Sequence, residues 1–271
     1  MGNAEYRGRF APSPTGPLHF GSLVTAVASY LDARTHGGKW LVRMEDVDEP
    51  RCIPGSDLDI LKTLERFGLA WDGPVMYQSR RKEAYREAFE KLRRDGYLYP
   101  CTCSRREAGP VYPGTCRPLQ SNIAPALDSA TNDTEEPGNF NWRFRVPDGE
   151  AIEFVDGNLG SQRFVAGVDF GDFVVWRRDG GPSYQLACVA DDAAMKITEV
   201  VRGEDLLKST ARQILLYRAL GLAIPDWFHC RLVVDGNGRR LAKRYDALSL
   251  RVLCQRGVTP AQILAAELPA E

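Results

Sequence analysis

Three groups of residues in this chain have types and spacings suited to chemistry. In the first, the turn Pro12-Ser13-Pro14-Thr15-Gly16 runs into His19-x-Gly21-Ser22, where a helical pattern starts. A Pro/Gly loop lets backbone approach a ligand closely. A helix N-terminus adds free N–H groups and the positive end of a dipole, so phosphate suits that position. His19 can donate a hydrogen bond to a phosphate oxygen, and Gly21 leaves room where a side chain would crowd a nucleotide. The second group is the basic run Arg240-Leu241-Ala242-Lys243-Arg244, just after the turn Asp235-Gly236-Asn237-Gly238. The third is Cys101, Cys103 and Cys116, within a Cys-, Pro- and Gly-rich stretch from Tyr99 to Arg117. Three thiols so close together suggest a structural zinc ion, which needs a fourth ligand. No histidine of the stretch can supply it, because the chain's three are His19, His36 and His229.

These groups need elements to position them. Arg9-Phe10 reads as a short strand before the loop. Gly21 to His36 reads as a helix with Leu23, Val24, Val27, Tyr30 and Leu31 on one face, stopped by Gly37-Gly38. Lys39 to Met44 reads as a strand ending in Glu45-Asp46. Strand, helix, strand in that order predicts a βαβ unit and a parallel α/β sheet. Functional groups of such sheets gather at the carboxyl ends of strands, which brings Arg9–Ser13 and Glu45 near one another. Helices are also expected over Ser56–Phe67, with Ser56 as cap and Leu58, Leu61 and Leu64 inward, and over Ser79–Asp95, with Tyr85, Phe89 and Leu92 buried. Leu119 to Asn139 is polar and reads as a mobile surface loop. Further strands are expected at Phe140–Val146, Phe164–Val168, Phe173–Arg177, Ile197–Val201 and Cys230–Val234. Helices are expected from Ser183 and over Ser209–Leu220, the latter capped by Ser209 or Thr210.

With 271 residues, 44% of them hydrophobic and 26% charged, the chain is an ordinary globular length and composition. A formal net charge of −1 means that any nucleic-acid surface must be a local patch. Seven cysteines, an odd number, with no secretory leader argue against a disulfide framework. No apolar run approaches the ~18 residues of a membrane helix. The expectation is a reduced, cytoplasmic protein with no membrane partner.

Arg9 to Ser22 resembles the nucleotide-binding signature of class I aminoacyl-tRNA synthetases, with His19-Phe20-Gly21-Ser22 in place of the consensus "HIGH". Arg240–Arg244 resembles the family's second signature, "KMSKS"; Arg240 stands for its first Lys, Ala242 for its Ser, and Lys243 matches its second Lys. Over nearly the whole chain the resemblance is to glutamyl-tRNA synthetases, and within them to the short glutamyl-queuosine tRNA(Asp) branch. It is carried by Arg9–Gly16, by Arg43-Met44-Glu45-Asp46-Val47-Asp48, by Tyr184-Gln185-Leu186-Ala187 and by Ile197–Leu207. Glutaminyl enzymes typically have Pro-Glu-Pro-Asn-Gly in the first loop, so Ser13 and Thr15 favour glutamate.

The resemblance implies a Rossmann-like α/β catalytic domain. It also implies an inserted zinc-bearing subdomain, a short helical C-terminal part and no anticodon-binding domain. The expected boundaries are 1–98 and 169–246 for the two halves of the catalytic domain, 99–168 for the insertion and 247–271 for the C-terminal segment. L-glutamate would bind at Arg9, Phe10, Ala11, Pro12, Ser13, Glu45, Tyr184 and Arg202, with Arg9 on the side-chain carboxylate and Glu45 on the α-ammonium. ATP, with Mg2+, would bind at His19, Gly21, Ser22 and Lys243, of which His19 and Lys243 serve catalysis. The zinc ligands would be Cys101, Cys103, Tyr112 and Cys116. The acceptor would be queuosine in the anticodon loop of tRNA(Asp), and the protein a monomer. The alternatives are a truncated synthetase charging a tRNA 3′ end, a ligase making glutamyl or cysteinyl small molecules, and a non-catalytic synthetase-like binding protein.

Overall fold

The computed structural model of the protein describes residues 5–118 and 140–231. The expected loop Leu119–Asn139, the basic run Arg240–Arg244, the segment 247–271 and Cys254 lie outside these residues. The chain divides into two units, one drawn from Met1–Ser79, Ile197–Leu206 and Pro225–Glu271, the other from Arg80–Lys196 and Leu207–Ile224.

The first unit starts as the βαβ pattern requires. Strand β1 (Arg7–Phe10), helix α1 (Phe20–Thr35) and strand β2 (Lys39–Met44) follow in order. β1 and β2 pair in parallel with Arg9 opposite Leu41, and the short β3 (Met76–Tyr77) pairs in parallel with the far end of β2. Gly37, at φ 63°, ends α1, and the N–H groups of Gly37 and Gly38 bond the carbonyls of Arg34 and Ala33. Gly38 carries a second constraint: a Cβ there would lie 2.4 Å from the Tyr6 carbonyl oxygen. Strand β9 (Glu199–Gly203) pairs in parallel with β10 (Asp226–Cys230). Just ahead of β9, Thr198 exchanges hydrogen bonds with the Arg7 backbone, setting β9 beside β1.

Phe10, Leu23, Val27, Trp40, Val42, Ile60 and Leu64 belong to the core under this sheet. Burying each large apolar side chain contributes about 1.5–3 kcal/mol. The Trp40 indole N–H donates to Ser29 Oγ at 2.9 Å, so its one polar atom is satisfied inside.

Helix α2 (Ser56–Arg66) forms where the pattern places it, but its cap differs. Gly55 is the N-cap, at φ 78°, and Ser56 is spent elsewhere: its hydroxyl donates to the Gly16 carbonyl and accepts from the Gly16 N–H. Leu58 is exposed, while Ile60, Thr63 and Leu64 face inward. The local capping pattern lost to a long-range contact with the first loop.

The second unit opens with α3 (Lys82–Arg94), which buries Tyr85, Phe89 and Leu92 as expected. Strands β4 (Leu98–Cys101), β5 (Asn141–Phe144) and β8 (Phe173–Trp176) form an antiparallel sheet in the order β4-β5-β8. The short α4 (Arg105–Ala108) follows β4 with a Ser104–Glu107 capping box. A hairpin of β6 (Ala151–Asp156) and β7 (Gly160–Val165) replaces the single strand expected at Phe164–Val168. Its outer face carries Val155, which is exposed, so its apolar pattern does not report a core. Helix α5 (Tyr184–Ala194) has Ser183 as its N-cap. Helix α6 (Leu207–Leu220) starts straight from a 3-10 turn, Glu204–Leu206, so Ser209 and Thr210 are buried within it and are not caps. Asp191 on α5 is fully buried and accepts from Arg81 Nε at 2.6 Å and from the Tyr85 hydroxyl at 2.7 Å.

Two strand ends also shift. β9 runs to Gly203, two residues past the expected Ile197–Val201, because its pairing with β10 continues to Cys230. β10 starts at Asp226, whereas an apolar run is only apparent from Cys230 onward. Among the described residues no helix is long and apolar enough to cross a membrane.

At the opposite end of β9 from Gly203, Glu199 faces Asp32 of α1. Tyr6 donates its hydroxyl to Asp32 at 2.5 Å and stacks on His36 with ring centroids 4.7 Å apart. Burial, reinforced by the charges of Asp32 and Asp226, pushes the Glu199 carboxyl up to about 7.

Candidate active site and cysteine cluster

The first loop is held from both sides. The Glu45 N–H, just past β2, donates to the Pro12 carbonyl at 2.9 Å. The Ile53 N–H donates to the Pro14 carbonyl at 2.9 Å, and Ser56 bonds both backbone groups of Gly16. Pro12 and Glu45 are therefore neighbours, as the ends of parallel strands require, while Arg9 pairs further back, opposite Leu41.

His19 is the N-cap of α1. Its Nδ1 accepts from the Ser22 N–H at 3.2 Å, and its Nε2 lies 3.0 Å from Ser22 Oγ. Accepting at Nδ1 assigns the neutral ring the Nε2–H tautomer, whose donor faces Ser22 Oγ. Gly21 has no positive φ, and a Cβ there would meet only the His19 ring, at an ordinary 3.6 Å. Nothing in the fold itself demands glycine at this position.

Three arginines of the sheet are buried. Arg9 is 3% exposed, and its Nη1 donates to the Val201 carbonyl of β9 at 3.1 Å. Arg202, the next residue on β9, lies with Nε 3.2 Å from His229 Nε2 and its guanidinium 5.0 Å above the Trp227 ring. Arg43, fully buried, places Nη2 3.2 Å from Glu45 Oε1. An arginine inside an apolar strand is the one signal that marked Arg43 in the sequence. His229 and Trp227 gave none, because the strand that carries them was expected to start later.

Arg9, Phe10, Ala11, Pro12, Ser13, His19, Gly21, Ser22, Glu45 and Arg202 all lie in the first unit. Tyr184 starts α5 in the second unit and is 36% exposed. Lys243 lies outside the described residues.

In the second unit the structure brings the three cysteines together. The Sγ atoms of Cys101, Cys103 and Cys116 all lie within 4.8 Å of one another, with Cys103 and Cys116 3.5 Å apart. The Tyr112 hydroxyl joins them, 3.4 Å from both Cys101 Sγ and Cys103 Sγ, and it accepts the Cys116 N–H at 2.8 Å. Ligands at zinc–sulfur distances of ~2.3 Å in a tetrahedron stand about 3.8 Å apart, so these donors need little movement to close on one ion. Burial pushes the Cys116 thiol up, but hydrogen bonds from Tyr112, the Thr102 backbone and the other thiols outweigh it and bring it down to about 6. Burial and the surrounding thiols push the Tyr112 phenol up. None of the six described cysteines forms a disulfide.

Sequence reasoning missed the groups behind this cluster. Arg143 on β5 is buried, with Nε 3.1 Å from Cys101 Sγ, Nη1 2.8 Å from the Asp172 carbonyl and its guanidinium 3.9 Å above the Tyr112 ring. The buried Asp172 carboxylate accepts from Tyr99, Arg117 and the Val146 N–H. Only the alternation of Phe140–Val146 hinted at Arg143, by giving it a fixed face.

The family described as "tRNA synthetases class I (E and Q), catalytic domain" matches residues 5–266. The class is thus a class I aminoacyl-tRNA synthetase catalytic domain, a ligase fold built on a Rossmann-like parallel sheet. The glutamyl-Q tRNA(Asp) synthetase of Dechloromonas aromatica (strain RCB) is 51% identical over 261 residues, covering 92% of this chain and 82% of the relative. The protein of that name from Neisseria gonorrhoeae (strain ATCC 700825 / FA 1090) is 50% identical over 248 residues, 88% of this chain and 80% of the relative. The chain belongs to the glutamyl-Q tRNA(Asp) synthetase family. Among solved structures, the glutamate-tRNA synthetase of Elizabethkingia anophelis superposes with a TM-score of 0.76 at 31% identity, over 89% of this chain. This chain spans about half of that longer protein, 53% of its length.

Proposed function

We propose that this protein activates L-glutamate with ATP and transfers it to queuosine in the anticodon loop of tRNA(Asp). The observation that carries the reading is a buried Arg9 on β1 and, where the loop after β1 meets the end of β2, a Glu45 that Arg43 holds, in a chain half identical to glutamyl-Q tRNA(Asp) synthetases. Glutamate has two carboxylates and one ammonium. The Arg9 fork suits the side-chain carboxylate, and Glu45 suits the ammonium. The resemblance gives Phe10, Ala11, Pro12 and Ser13 to the same substrate. The resemblance also gives Tyr184 and Arg202 to glutamate.

The α-carboxylate attacks the α-phosphorus of ATP in line; pyrophosphate leaves and glutamyl-adenylate remains. A hydroxyl of the queuosine cyclopentenediol then attacks the activated carbonyl, forms the ester and releases AMP. Neither step needs a protein nucleophile. Positioning and electrostatic stabilisation supply the acceleration. The start of α1, with His19 as its N-cap, would receive phosphate, and the bare Gly21 leaves the space for it. Lys243 would meet the departing pyrophosphate. Mg2+ bound with the ATP phosphates would offset their charge.

Cys101, Cys103, Tyr112 and Cys116 would hold one zinc ion, which would cross-link the segment 99–168 rather than take part in chemistry. The second unit would then present a rigid surface to the tRNA.

Radiolabelled glutamate offered with queuosine-containing tRNA(Asp), queuosine-lacking tRNA(Asp) and tRNA(Glu) tests the reading. Label on the first alone is expected. Label on tRNA(Glu) alone overturns the choice of acceptor, and label on small molecules without tRNA overturns tRNA as the partner.

A further inference from the structure

Among the described residues Arg143 has no carboxylate partner, and it is placed against the cysteine cluster. Among the described residues its guanidinium contacts Cys101 Sγ, the Asp172 carbonyl and the Tyr112 ring, none of them a carboxylate oxygen. It is 6% exposed, and a charge removed from water to that extent needs a counter-charge nearby. Three thiolates around a divalent ion carry net negative charge, which also needs compensation in a buried setting. Each site supplies what the other lacks.

The placement is fixed independently of any metal. Arg143 stands on the central strand of β4-β5-β8, opposite Tyr99 on β4 and Val174 on β8. Its Nη1 is tied to the residue that also anchors Arg117, next to Cys116. Gly171 lets that segment come close, since a Cβ there would lie 2.8 Å from both the N and the O of Tyr112. One planar group thus touches a sulfur through an N–H and a phenol through its π face, two of the four donors at once.

We infer that Arg143 is a positioning residue of the metal site: it neutralises the thiolate cluster and fixes Cys101 and Tyr112 in ligand geometry. This rests on the zinc reading above. Outer-shell partners of this kind are worth about 10- to 100-fold in metal affinity.

The test is zinc affinity by chelator competition on the full chain, together with the sulfur-to-metal charge-transfer absorption of the cobalt-substituted protein. Arg143→Met is expected to weaken zinc by at least about ten-fold and to shift the cobalt band. Arg143→Lys, which keeps the charge but not the fork or the stacking, should fall between it and the native protein. Phe144→Leu, on the same strand but in the hydrophobic core, serves as the stability control. Equal zinc affinity in native, Met and Lys proteins overturns the role of Arg143. An equal loss in Phe144→Leu overturns it too, by reducing the effect to strand stability. Absence of zinc from the native protein, purified without chelator, overturns the metal reading itself and is distinct from both.

Discussion

Replacing Arg9 by lysine tests the guanidinium fork proposed above for glutamate recognition. Arg9 is 3% exposed and donates one N–H to the Val201 carbonyl at 3.1 Å. A guanidinium carries five N–H donors, so two others can face a carboxylate side by side. A lysine ammonium has three donors on a single point; with one kept on Val201, it reaches the carboxylate through one good bond rather than two. The loss is one charge-assisted hydrogen bond, about 1.5–3 kcal/mol. At 1.36 kcal/mol per decade that is a fall of about 10- to 100-fold in kcat/KM for glutamate. The side-chain carboxylate does not react, so its contact is the same in ground and transition states and the change should appear in KM. Glutamate-dependent ATP–pyrophosphate exchange measures it directly. The ATP dependence should stay at its native value, and so should the melting midpoint, because Val201 keeps a donor. A glutamate KM for Arg9→Lys within about twofold of native would refute the assignment of Arg9 to the carboxylate.

Other consequences can be measured as simply. Gly38→Ala pushes a Cβ to 2.4 Å from the Tyr6 carbonyl, so a loss of about 1–3 kcal/mol and a lower melting midpoint are expected; an unchanged midpoint contradicts the packing described between Tyr6 and the turn. Glu199 holds its proton up to about pH 7 when folded, against 4.5 as its ordinary value, so the native state binds more protons than the unfolded state between those values. Stability therefore declines as pH rises through that window, and Glu199→Gln should flatten the decline; identical pH profiles for the two proteins would remove Glu199 as its source. Lys243→Ala should lower glutamate-dependent exchange by about ten-fold or more, and unchanged exchange removes Lys243 from the chemistry.

Much of the first unit was legible because its signals are local. The apolar stripe of α1, the Gly37-Gly38 stop and the run of β2 each specify their element within a few residues, and β1-α1-β2 admits only a parallel pairing. Ser56 shows where local reading runs out. Its spacing to Asp59 matches a cap, yet its hydroxyl is bound to Gly16, which no window of sequence around α2 could reveal. Glu45 was located by the strand-end rule, but its partner Arg43 was not, because a buried ion pair depends on which face of β2 is covered. The cysteines announced themselves by number. Arg143 did not, since its significance arises only when β5 pairs with β4 and brings it onto Cys101. Residue type marked the cysteines themselves, and strand register decided what lies behind them.

The interleaving of the two units bears on how this protein is made. β1 emerges first from the ribosome, but the residue that bonds its backbone, Thr198, lies 191 positions later. At a synthesis rate of about 5–20 residues per second, β1 waits roughly 10–40 s for its neighbour. During that interval the β1 edge of the sheet is open to aggregation and to proteases, and the second unit too waits for Leu207–Ile224. Expression yield should therefore depend on elongation speed and on chaperone supply more than the stability of the finished molecule suggests.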